Sequence, residues 1–454
     1  MIKNLKSVAI VFMLFVILPN ITYAQKLQFS LHKLESGQSG PRILVLGGIQ
    51  GDEPGGFNAA SLLVTDYKIT RGSVWVVPNL NFESIIKRSR GIHGDMNRKF
   101  SQIKRSDPEY QSIQKIKSLI VNNDIDIILN LHDGSGFYRT KYIDKQHNPN
   151  RWGQSIIIDQ DTVSAKKFGR LQYIANSVMN SVNTKISNSN HYYAVKNTWT
   201  KNGDVEMEKT LTYFAIKNSK PAFGIEASKS FLTHERVLFH LLVVESFMDN
   251  VGVRYQKEFK LTLNTIHGLL NNNIKVSLYN NHIQFDASKA RTRIGYVPIN
   301  KNAPLQFKSN NPLVAITSSK TKKYKVNFGN RQLTYLEPEY FDFDHKLVKV
   351  DFVIDGNLQN IKIGSRIRVK NHFMVNHIHG YRVNIIGYRN KASRNESGYI
   401  VKKSNINKRF SIDKTANVYR VEFYDGKKFS GMVLVDFGKQ SYTSLDNTIA
   451  PDYM

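Results

Sequence analysis

The chain has 454 residues, which exceeds one ordinary hydrophobic core and predicts two or three domains of about 100 to 200 residues each. Hydrophobic residues make up 41% of the sequence, which is enough to bury such cores and excludes a largely disordered chain. With 64 Lys and Arg against 36 Asp and Glu, the formal net charge is +28, so we expect an anionic partner. The absence of cysteine excludes a disulfide scaffold, a cysteine nucleophile and a Cys-ligated metal site.

The first 24 residues have the pattern of a cleaved signal peptide. Lys3 and Lys6 precede an apolar run at 8–18, Pro19 ends that run, and small residues follow at 22–24. The run is too short to span a bilayer, which takes about 20 residues, so no transmembrane span is expected after cleavage. Export predicts a periplasmic location. It argues against nucleic acid as the partner and favours the anionic bacterial cell wall.

Residues 25–250 alternate apolar strands with amphipathic helices. In chain order, the pattern predicts a strand at 42–49, a helix at 57–67, a strand at 73–79, a helix at 107–121, strands at 126–131 and 155–159, helices at 163–182 and 205–217, a strand at 222–225 and a helix at 234–248. This alternation predicts an α/β fold with a mainly parallel or mixed sheet flanked by helices. Ligands on such sheets bind at the carboxyl ends of strands, so residues that follow the strands are the candidate site.

After residue 250 the alternation of strands and helices gives way to short β-like runs. Short β-like runs alternate there with turns rich in Asn, Gly and Lys, at 275–279, 325–328, 348–354, 365–369, 382–388, 418–424 and 431–437. We therefore predict a small β-rich domain at 251–343 and a β-sandwich-like domain at 344–454, after the 25–250 domain. These two β-rich domains carry most of the excess of basic residues.

Three residues that follow predicted strands have the donor atoms of a metal site. Gln50 and Glu53 come directly after the strand at 42–49, and a spacing of three residues points both side chains the same way within one helical turn. His132 stands at the end of the strand at 126–131. Two oxygen donors and one nitrogen donor suit a zinc site that keeps a fourth position open for water.

A second group of residues has the chemistry to bind an acidic substrate and to move a proton. The segment 88–100 concentrates guanidinium and amide groups that can bind carboxylates in pairs of hydrogen bonds, among them Arg88, Arg90, Asn97 and Arg98. Glu226 is placed at the end of the strand at 222–225. From there it could act as the general base that takes a proton from a water molecule at the metal.

Together these segments resemble the zinc metallocarboxypeptidases of the carboxypeptidase A superfamily. That family has a His-x-x-Glu ligand pair, a distal His, an Asn-Arg carboxylate grip and a late Glu, and the counterparts here are Gln50-x-x-Glu53, His132, the segment 94–98 and Glu226. Gln in place of the first His, with a signal peptide and a β-rich tail, is similar to the periplasmic cell-shape-determining peptidoglycan DL-carboxypeptidases of helical Gram-negative bacteria.

The resemblance implies one zinc ion (Zn²⁺) as cofactor and peptidoglycan tripeptide stems as substrate. Such enzymes remove the terminal meso-diaminopimelate and leave a dipeptide. The resemblance further implies that Glu226 and Arg90 are catalytic and that Arg88, Asn97 and Arg98 bind substrate, with Arg88 as the alternative to Arg90 for the oxyanion. Diaminopimelate requires a second polar subsite, for which four side chains are candidates: Asp133, Tyr193, Trp199 and Thr212.

Two other interpretations stay open from the sequence. A zinc deacylase or amidase of the desuccinylase and aspartoacylase type shares the ligand pair and the arginine grip. A catalytically dead peptidoglycan-binding scaffold is the other, because the neutral amide of Gln50 is a weaker zinc donor than imidazole. A decayed site would have no reason to keep Glu53, His132, Arg98 and Glu226 in order, so we favour an active enzyme. The sequence does not indicate a protein partner.

Overall fold

The computed structural model describes residues 27–390 and 392–439, so the predicted signal peptide lies outside the described residues. From residue 27 to 271, the described residues form seven α-helices: α1 (Pro54–Asp66), α2 (Phe82–Lys87), α3 (Tyr110–Ile120), α4 (Leu171–Asn183), α5 (Leu211–Lys217), α6 (Thr233–Val251) and α7 (Leu263–Asn271). The strands in this part are β1 (His32–Glu35), β2 (Arg42–Gly47), β3 (Tyr67–Arg71), β4 (Ser73–Val77), β5 (Ile127–Gly134), β6 (Phe137–Tyr138), β7 (His147–Asn148), β8 (Ser155–Ile158), β9 (Ala194–Asn197), β10 (Ala222–Ser228) and β11 (Arg254–Lys257).

A seven-stranded mixed sheet in the order β1-β4-β2-β5-β10-β8-β9 forms the centre of this part. The neighbours β4, β2, β5 and β10 run parallel, whereas β1 runs antiparallel to β4, and β8 and its parallel neighbour β9 run antiparallel to β10. All eight residues of β5 are buried, as expected for a strand covered by helices on both faces. The predicted α/β class with a mixed sheet flanked by helices is confirmed.

Two predicted helices differ from the observed ones. The helix predicted at 163–182 begins only at Leu171, because the preceding residues form a loop in which Val163 N donates to Gly169 O at 2.8 Å. The helix predicted at 205–217 is divided into a 3-10 turn at Met207–Lys209 and α5. Thr210 causes this division, since its backbone is extended and its hydroxyl caps α5 by accepting from Tyr213 N.

The core of the α/β part continues past the boundary predicted at residue 250. Strand β11 pairs with β3, and helix α7 buries Ile266 and Leu270 in the same core. A buried ion pair between Lys257 and Glu245 joins β11 to α6. Residues 251–271 were expected to belong to a β-rich domain, but their packing attaches them to the α/β part.

The remaining strands form small sheets. They are β12 (Lys275–Leu278), β13 (Ile283–Asp286), β14 (Arg293–Asn300), β15 (Phe307–Ser309), β16 (Val314–Ser318), β17 (Tyr324–Phe328), β18 (Arg331–Phe341), β19 (Lys349–Ile354), β20 (Asn357–Lys362), β21 (Arg366–Arg368), β22 (His372–Val375), β23 (Tyr381–Ile385), β24 (Val401–Lys402), β25 (Val418–Asp425) and β26 (Lys428–Asp436).

Two four-stranded sheets, β20-β19-β22-β24 and β21-β26-β25-β23, enclose one apolar core in the last part of the chain. This arrangement has the character of the predicted sandwich. Strands β12 to β18 share a second apolar core with Phe57 and Phe82 of the α/β part. The exact domain limits therefore stay predictions. Within the described ranges, no helix combines the length and apolarity that crossing a membrane requires.

Candidate active site

The candidate residues gather at the carboxyl edge of the central sheet. Gln50 and Glu53 lie in the turn between β2 and α1, while His132 and Glu226 lie on the adjacent parallel strands β5 and β10. The register of these two strands places Glu226 directly beside His132. Residues more than 170 positions apart in sequence thus meet because three parallel strands end at one edge.

The glycines around Gln50 allow this turn to pack closely. A Cβ atom on Gly51 would lie 2.1 Å from the backbone of Ser84, and one on Gly56 would lie 2.5 Å from the carbonyl oxygen of Leu131. A side chain at Gly51 would force the turn away from α2, and one at Gly56 would force α1 away from the sheet. These glycines are therefore a packing requirement of the site, and Pro54 starts α1 between them.

Three buried donor atoms converge in this turn. His132 Nδ1 lies 3.0 Å from Glu53 Oε2 and 3.2 Å from Gln50 Oε1. Two ligands of a tetrahedral zinc ion lie about 3.4 Å apart when each is about 2.1 Å from the metal. The three side chains are between 2% and 5% exposed. A small shift outward would therefore give these atoms the spacing of a three-ligand metal site, and the donor set fits zinc.

Asp95 fixes the orientation of the Gln50 amide. Gln50 Nε2 donates to both carboxylate oxygens of Asp95, at 2.8 and 2.9 Å, so Oε1 is the atom turned toward His132. Burial raises the pKa of Asp95, but the bonds from Gln50 and the nearby Arg90 outweigh burial, and the pKa lies below its ordinary value. The charged carboxylate thereby turns a neutral amide into an oriented oxygen donor.

Asn130 supports the other ring nitrogen of His132. The amide nitrogen of Asn130 is placed 2.8 Å from His132 Nε2, and its Oδ1 is buried without a described hydrogen-bond partner. The oxygen and nitrogen of an amide have nearly the same size, so the Asn130 side chain fits equally well after a rotation of half a turn. In that orientation its Oδ1 accepts a hydrogen bond from His132 Nε2–H. That is the arrangement of a metal-bound histidine, in which the free ring nitrogen donates outward. The unpaired oxygen therefore favours Nδ1 as the metal-facing atom.

Glu226 is the acid–base candidate of the site. Burial, and then the carboxylates of Glu53 and Asp133, raise the pKa of Glu226 to about 8, although His132 and Lys229 lower it. A carboxyl group in this range can both accept and release a proton near neutral pH. Glu226 is paired in register with His132 and lines the same cavity as the three donors, which suits a base that acts there.

Three residues of the segment 88–100 reach the site. Arg90 lies 3.0 Å from Asp95 and 3.4 Å from Glu53. Asn97 accepts a bond from Leu211 N through Oδ1, which leaves its amide nitrogen for the cavity, and Arg98 pairs with Glu206 at 3.4 Å. The structure thus brings together Arg90, Asn97 and Arg98 as the sequence predicted.

Arg88 is placed differently from the prediction. It is the C-cap of α2 in the left-handed conformation, with φ of 55°, and its Nε donates to the carbonyl oxygen of Asn330 at 2.6 Å. The turn at the helix end directs this side chain toward the strands that follow residue 271. Arg88 does not line the cavity, so its predicted substrate contact is not supported, and Arg90 is the better candidate for the oxyanion.

A cavity of about 290 Å³ joins these side chains. Of the eight candidate residues all but Arg88 line it, and so do Asp133 and Thr212 from the proposed second subsite, whereas Tyr193 and Trp199 do not. The size suits an amino acid with its adjoining peptide group. The acidic and basic side chains around it suit a zwitterionic substrate rather than an apolar one.

Comparison with known proteins identifies the family. A family model described as carboxypeptidase controlling helical cell shape, catalytic, matches residues 3–271. A second model, described as the C-terminal domain of metallo-carboxypeptidase, matches residues 343–438. The chain belongs to this family of metallo-carboxypeptidases. The resemblance seen in the sequence is confirmed, and so is the assignment as a carboxypeptidase.

Solved structures give the same result. The apo cell shape determinant protein Csd4 from Helicobacter pylori is 38% identical, with a TM-score of 0.84, and the match covers 90% of this chain and 100% of that one. The tripeptide-bound form has the same identity and coverage, with a TM-score of 0.83. The mDAP-bound form, described as a D,L-carboxypeptidase, is 40% identical over 87% of this chain and 96% of that one, with a TM-score of 0.83. No curated protein matches the chain.

Family membership decides between the interpretations that the sequence left open. It supports the carboxypeptidase over the deacylase and over the dead scaffold. It also implies a metal cofactor, since the C-terminal family model is that of a metallo-carboxypeptidase.

Trp152 and Lys229 are among the cavity residues of the carboxypeptidase that were missed in the sequence. Trp152 lies in a loop without a periodic pattern, and its ring is held by Lys196, whose Nζ is 3.9 Å from the ring centre. Lys229 follows Glu226 by three residues, and that spacing is the signal that could have found it. In the structure Lys229 Nζ lies 3.2 Å from Glu53 Oε1 rather than pairing with Glu226.

Proposed function

We propose that this carboxypeptidase is a periplasmic zinc enzyme that removes the terminal meso-diaminopimelate from muramyl tripeptide stems and leaves a dipeptide. The observation that carries the proposal is the convergence of Gln50, Glu53 and His132 beside Glu226 in one cavity. The relatives support the substrate, because solved forms of the Helicobacter pylori protein are described as tripeptide-bound and mDAP-bound. The signal-peptide pattern of residues 1–24 supports the location.

The metal would be held by Gln50 Oε1, a carboxylate oxygen of Glu53 and His132 Nδ1. A bound zinc ion supplies Lewis acidity, which polarises water and carbonyl groups at neutral pH. Asp95 keeps the Gln50 amide oxygen directed at that position, and Asn130 keeps the His132 ring in place. With Asp95 and Asn130 holding these ligands in place, a neutral amide and an imidazole are sufficient to complete a metal site that has only one carboxylate ligand.

Glu226 is proposed to carry the proton of the reaction. Its carboxylate accepts a proton from the attacking water and passes it to the amine of the departing diaminopimelate. Burial favours the protonated form of Glu226 once the proton has been taken up, which is the form that the second half of the reaction needs.

Arg90 and Arg98 are proposed to divide the negative charges of the substrate. Arg90, next to Glu53, faces the position of the scissile carbonyl and stabilises the oxyanion. Arg98 and Asn97 lie on the side of the cavity formed by Met207, Thr210 and Thr212, where they hold the terminal carboxylate of diaminopimelate. Its remaining amino and carboxyl groups are then placed against Thr212.

The test uses purified protein without residues 1–24, with and without a chelator. Muramyl tripeptide and tetrapeptide are supplied separately, and products are identified by mass spectrometry. We expect free diaminopimelate and dipeptide from the tripeptide only, no product with chelator, and full recovery after zinc is returned. Glu226→Gln is expected to lower kcat by about 10² to 10⁴ while the tripeptide still binds. Hydrolysis that survives complete removal of metal would contradict the proposal.

A further inference from the structure

A third cation of the cavity has no role in the mechanism above. Lys229 lines the cavity together with Arg90 and Arg98, and its side chain is 35% exposed. Its Nζ lies 3.2 Å from Glu53 Oε1 and 3.8 Å from Asp52 Oδ2. An ammonium group has three donors, so a partly exposed one in a substrate cavity can bind an anionic group of the substrate in addition to Glu53.

Lys229 and the carboxylate grip are anchored to different elements. The Lys229 backbone N donates to Gly134 O at 2.7 Å, which fastens it to the end of β5. Asn97 bonds to Leu211 N and Arg98 pairs with Glu206, so the grip is anchored beside α5. A substrate whose terminal carboxylate is held by Arg98 leaves its acyl part to a different cation, and Lys229 lines the same cavity.

The chemistry of the proposed substrate places an anion there. In a peptidoglycan stem the residue before diaminopimelate is D-glutamate joined through its γ-carboxyl group, so its α-carboxylate is free. That carboxylate is four carbon–carbon bonds from the scissile carbonyl, a reach of about 5 Å when extended. Arg90 Nη1 and Lys229 Nζ both lie within 3.4 Å of Glu53 Oε1. Two cationic groups this close can hold the carbonyl and the carboxylate of one glutamyl residue.

We infer that Lys229 binds the free α-carboxylate of the isoglutamyl residue and makes the enzyme select stems in which this group is not amidated. The inference rests on the proposed function, since it assigns the acyl side of the same cavity. It predicts discrimination by charge at a position that the carboxylate grip does not touch. Arg98 contacts the departing diaminopimelate, and Lys229 contacts the glutamyl residue that remains in the peptidoglycan stem.

The test compares two tripeptides that differ only at this group, the free acid and the α-amide of the glutamyl residue. Wild-type kcat/KM is expected to be at least about tenfold higher for the acid, mainly through KM, because a charge-assisted bond is lost with the amide. Lys229→Met should lose this preference, because kcat/KM falls more for the acid than for the amide, and Lys229→Arg should keep most of it. Lys201→Met, at an exposed surface position, is the matched control.

A binding measurement separates this inference from the proposed function. Titration calorimetry with the dipeptide L-alanyl-γ-D-glutamate and with its α-amide needs no turnover. Wild type is expected to bind the acid about tenfold more tightly than the amide, and Lys229→Met to bind both alike. Zinc content and circular dichroism of the variant check that metal site and fold are intact. Equal binding of acid and amide by wild type, or full discrimination by Lys229→Met, would overturn the inference. If wild type cleaves neither tripeptide, the proposed function fails while the calorimetry still decides the role of Lys229.

Discussion

The orientation of Gln50 by Asp95 leads to a quantitative prediction for Asp95→Asn. The two bonds from Gln50 Nε2 to Asp95 measure 2.8 and 2.9 Å, and each is assisted by the charge of the carboxylate. A hydrogen bond to a charged group contributes about 1.5 to 3 kcal/mol. Asparagine keeps one neutral oxygen acceptor, but its amide nitrogen faces Gln50 Nε2 and cannot accept the second hydrogen bond. The preference of Gln50 for directing Oε1 at the metal position therefore falls by about 1.5 to 3 kcal/mol.

This loss should appear as weaker metal binding. At 1.4 kcal/mol for each factor of ten, the expected increase in the Kd for zinc is about 10- to 100-fold, the range typical for groups that support metal ligands. The assay is competition for zinc with a chromophoric chelator of known affinity, because it reports on the metal site without substrate. Kinetics alone would be ambiguous, since Asp95 also accepts from Asn97 N and pairs with Arg90.

The matched control is Asp107→Asn. Asp107 belongs to the same stretch of chain and pairs with Lys99 at 2.8 Å, and it does not contact Gln50. Its replacement should leave the zinc affinity unchanged. If Asp95→Asn folds normally and binds zinc as tightly as wild type, Asp95 does not orient the amide, and the account of how glutamine serves as a ligand would be wrong.

Two further predictions concern stability. Arg420→Met should lower the free energy of unfolding by about 3 to 5 kcal/mol in a denaturant titration. The buried Arg420 donates to the carbonyls of Gly295 and Tyr296 and lies 3.3 Å from the buried Glu422. A decrease below about 1 kcal/mol would show that this network contributes little. Burial raises the pKa of Asp133, but His240 and Arg236 outweigh burial and hold it below its ordinary value. The stability from Asp133 is therefore present above the unfolded-state pKa of about 3.9 and is lost as pH falls through the folded-state pKa. Asp133→Asn should flatten the fall of the unfolding free energy as pH drops below about 4, and an unchanged slope would count against the ion pair.

The sheet could be predicted because its strands are continuous apolar runs. The predicted strand at 126–131 corresponds to β5, Ile127–Gly134, whose eight residues are all buried. The start of α4 could not be predicted in the same way. Residues 163–169 have helical periodicity, but Val163 N bonds to Gly169 O and Phe168 adopts φ of 58°, which closes a loop instead. Local pattern does not reveal such a closure.

The convergence of the proposed metal ligands could be predicted because chain order and strand ends place them together. Gln50, Glu53 and His132 each follow or end a buried strand, and the sheet edge supplies the rest. Arg88 was misplaced because the direction of its side chain depends on a left-handed helix end that its residue type does not favour. Lys229 was missed as a cavity residue because its partner, Glu53, lies 176 residues away.

Locating the metal ion decides whether Gln50, Glu53 and His132 bind it together. Crystals of the zinc-loaded protein, measured above and below the zinc absorption edge, would show the ion by its anomalous signal. We predict one strong peak bonded to Gln50 Oε1, a Glu53 oxygen and His132 Nδ1, at about 2.0 to 2.2 Å, with Glu226 facing it but not bonded. A peak at other residues, or a peak that lacks Gln50, would contradict the account.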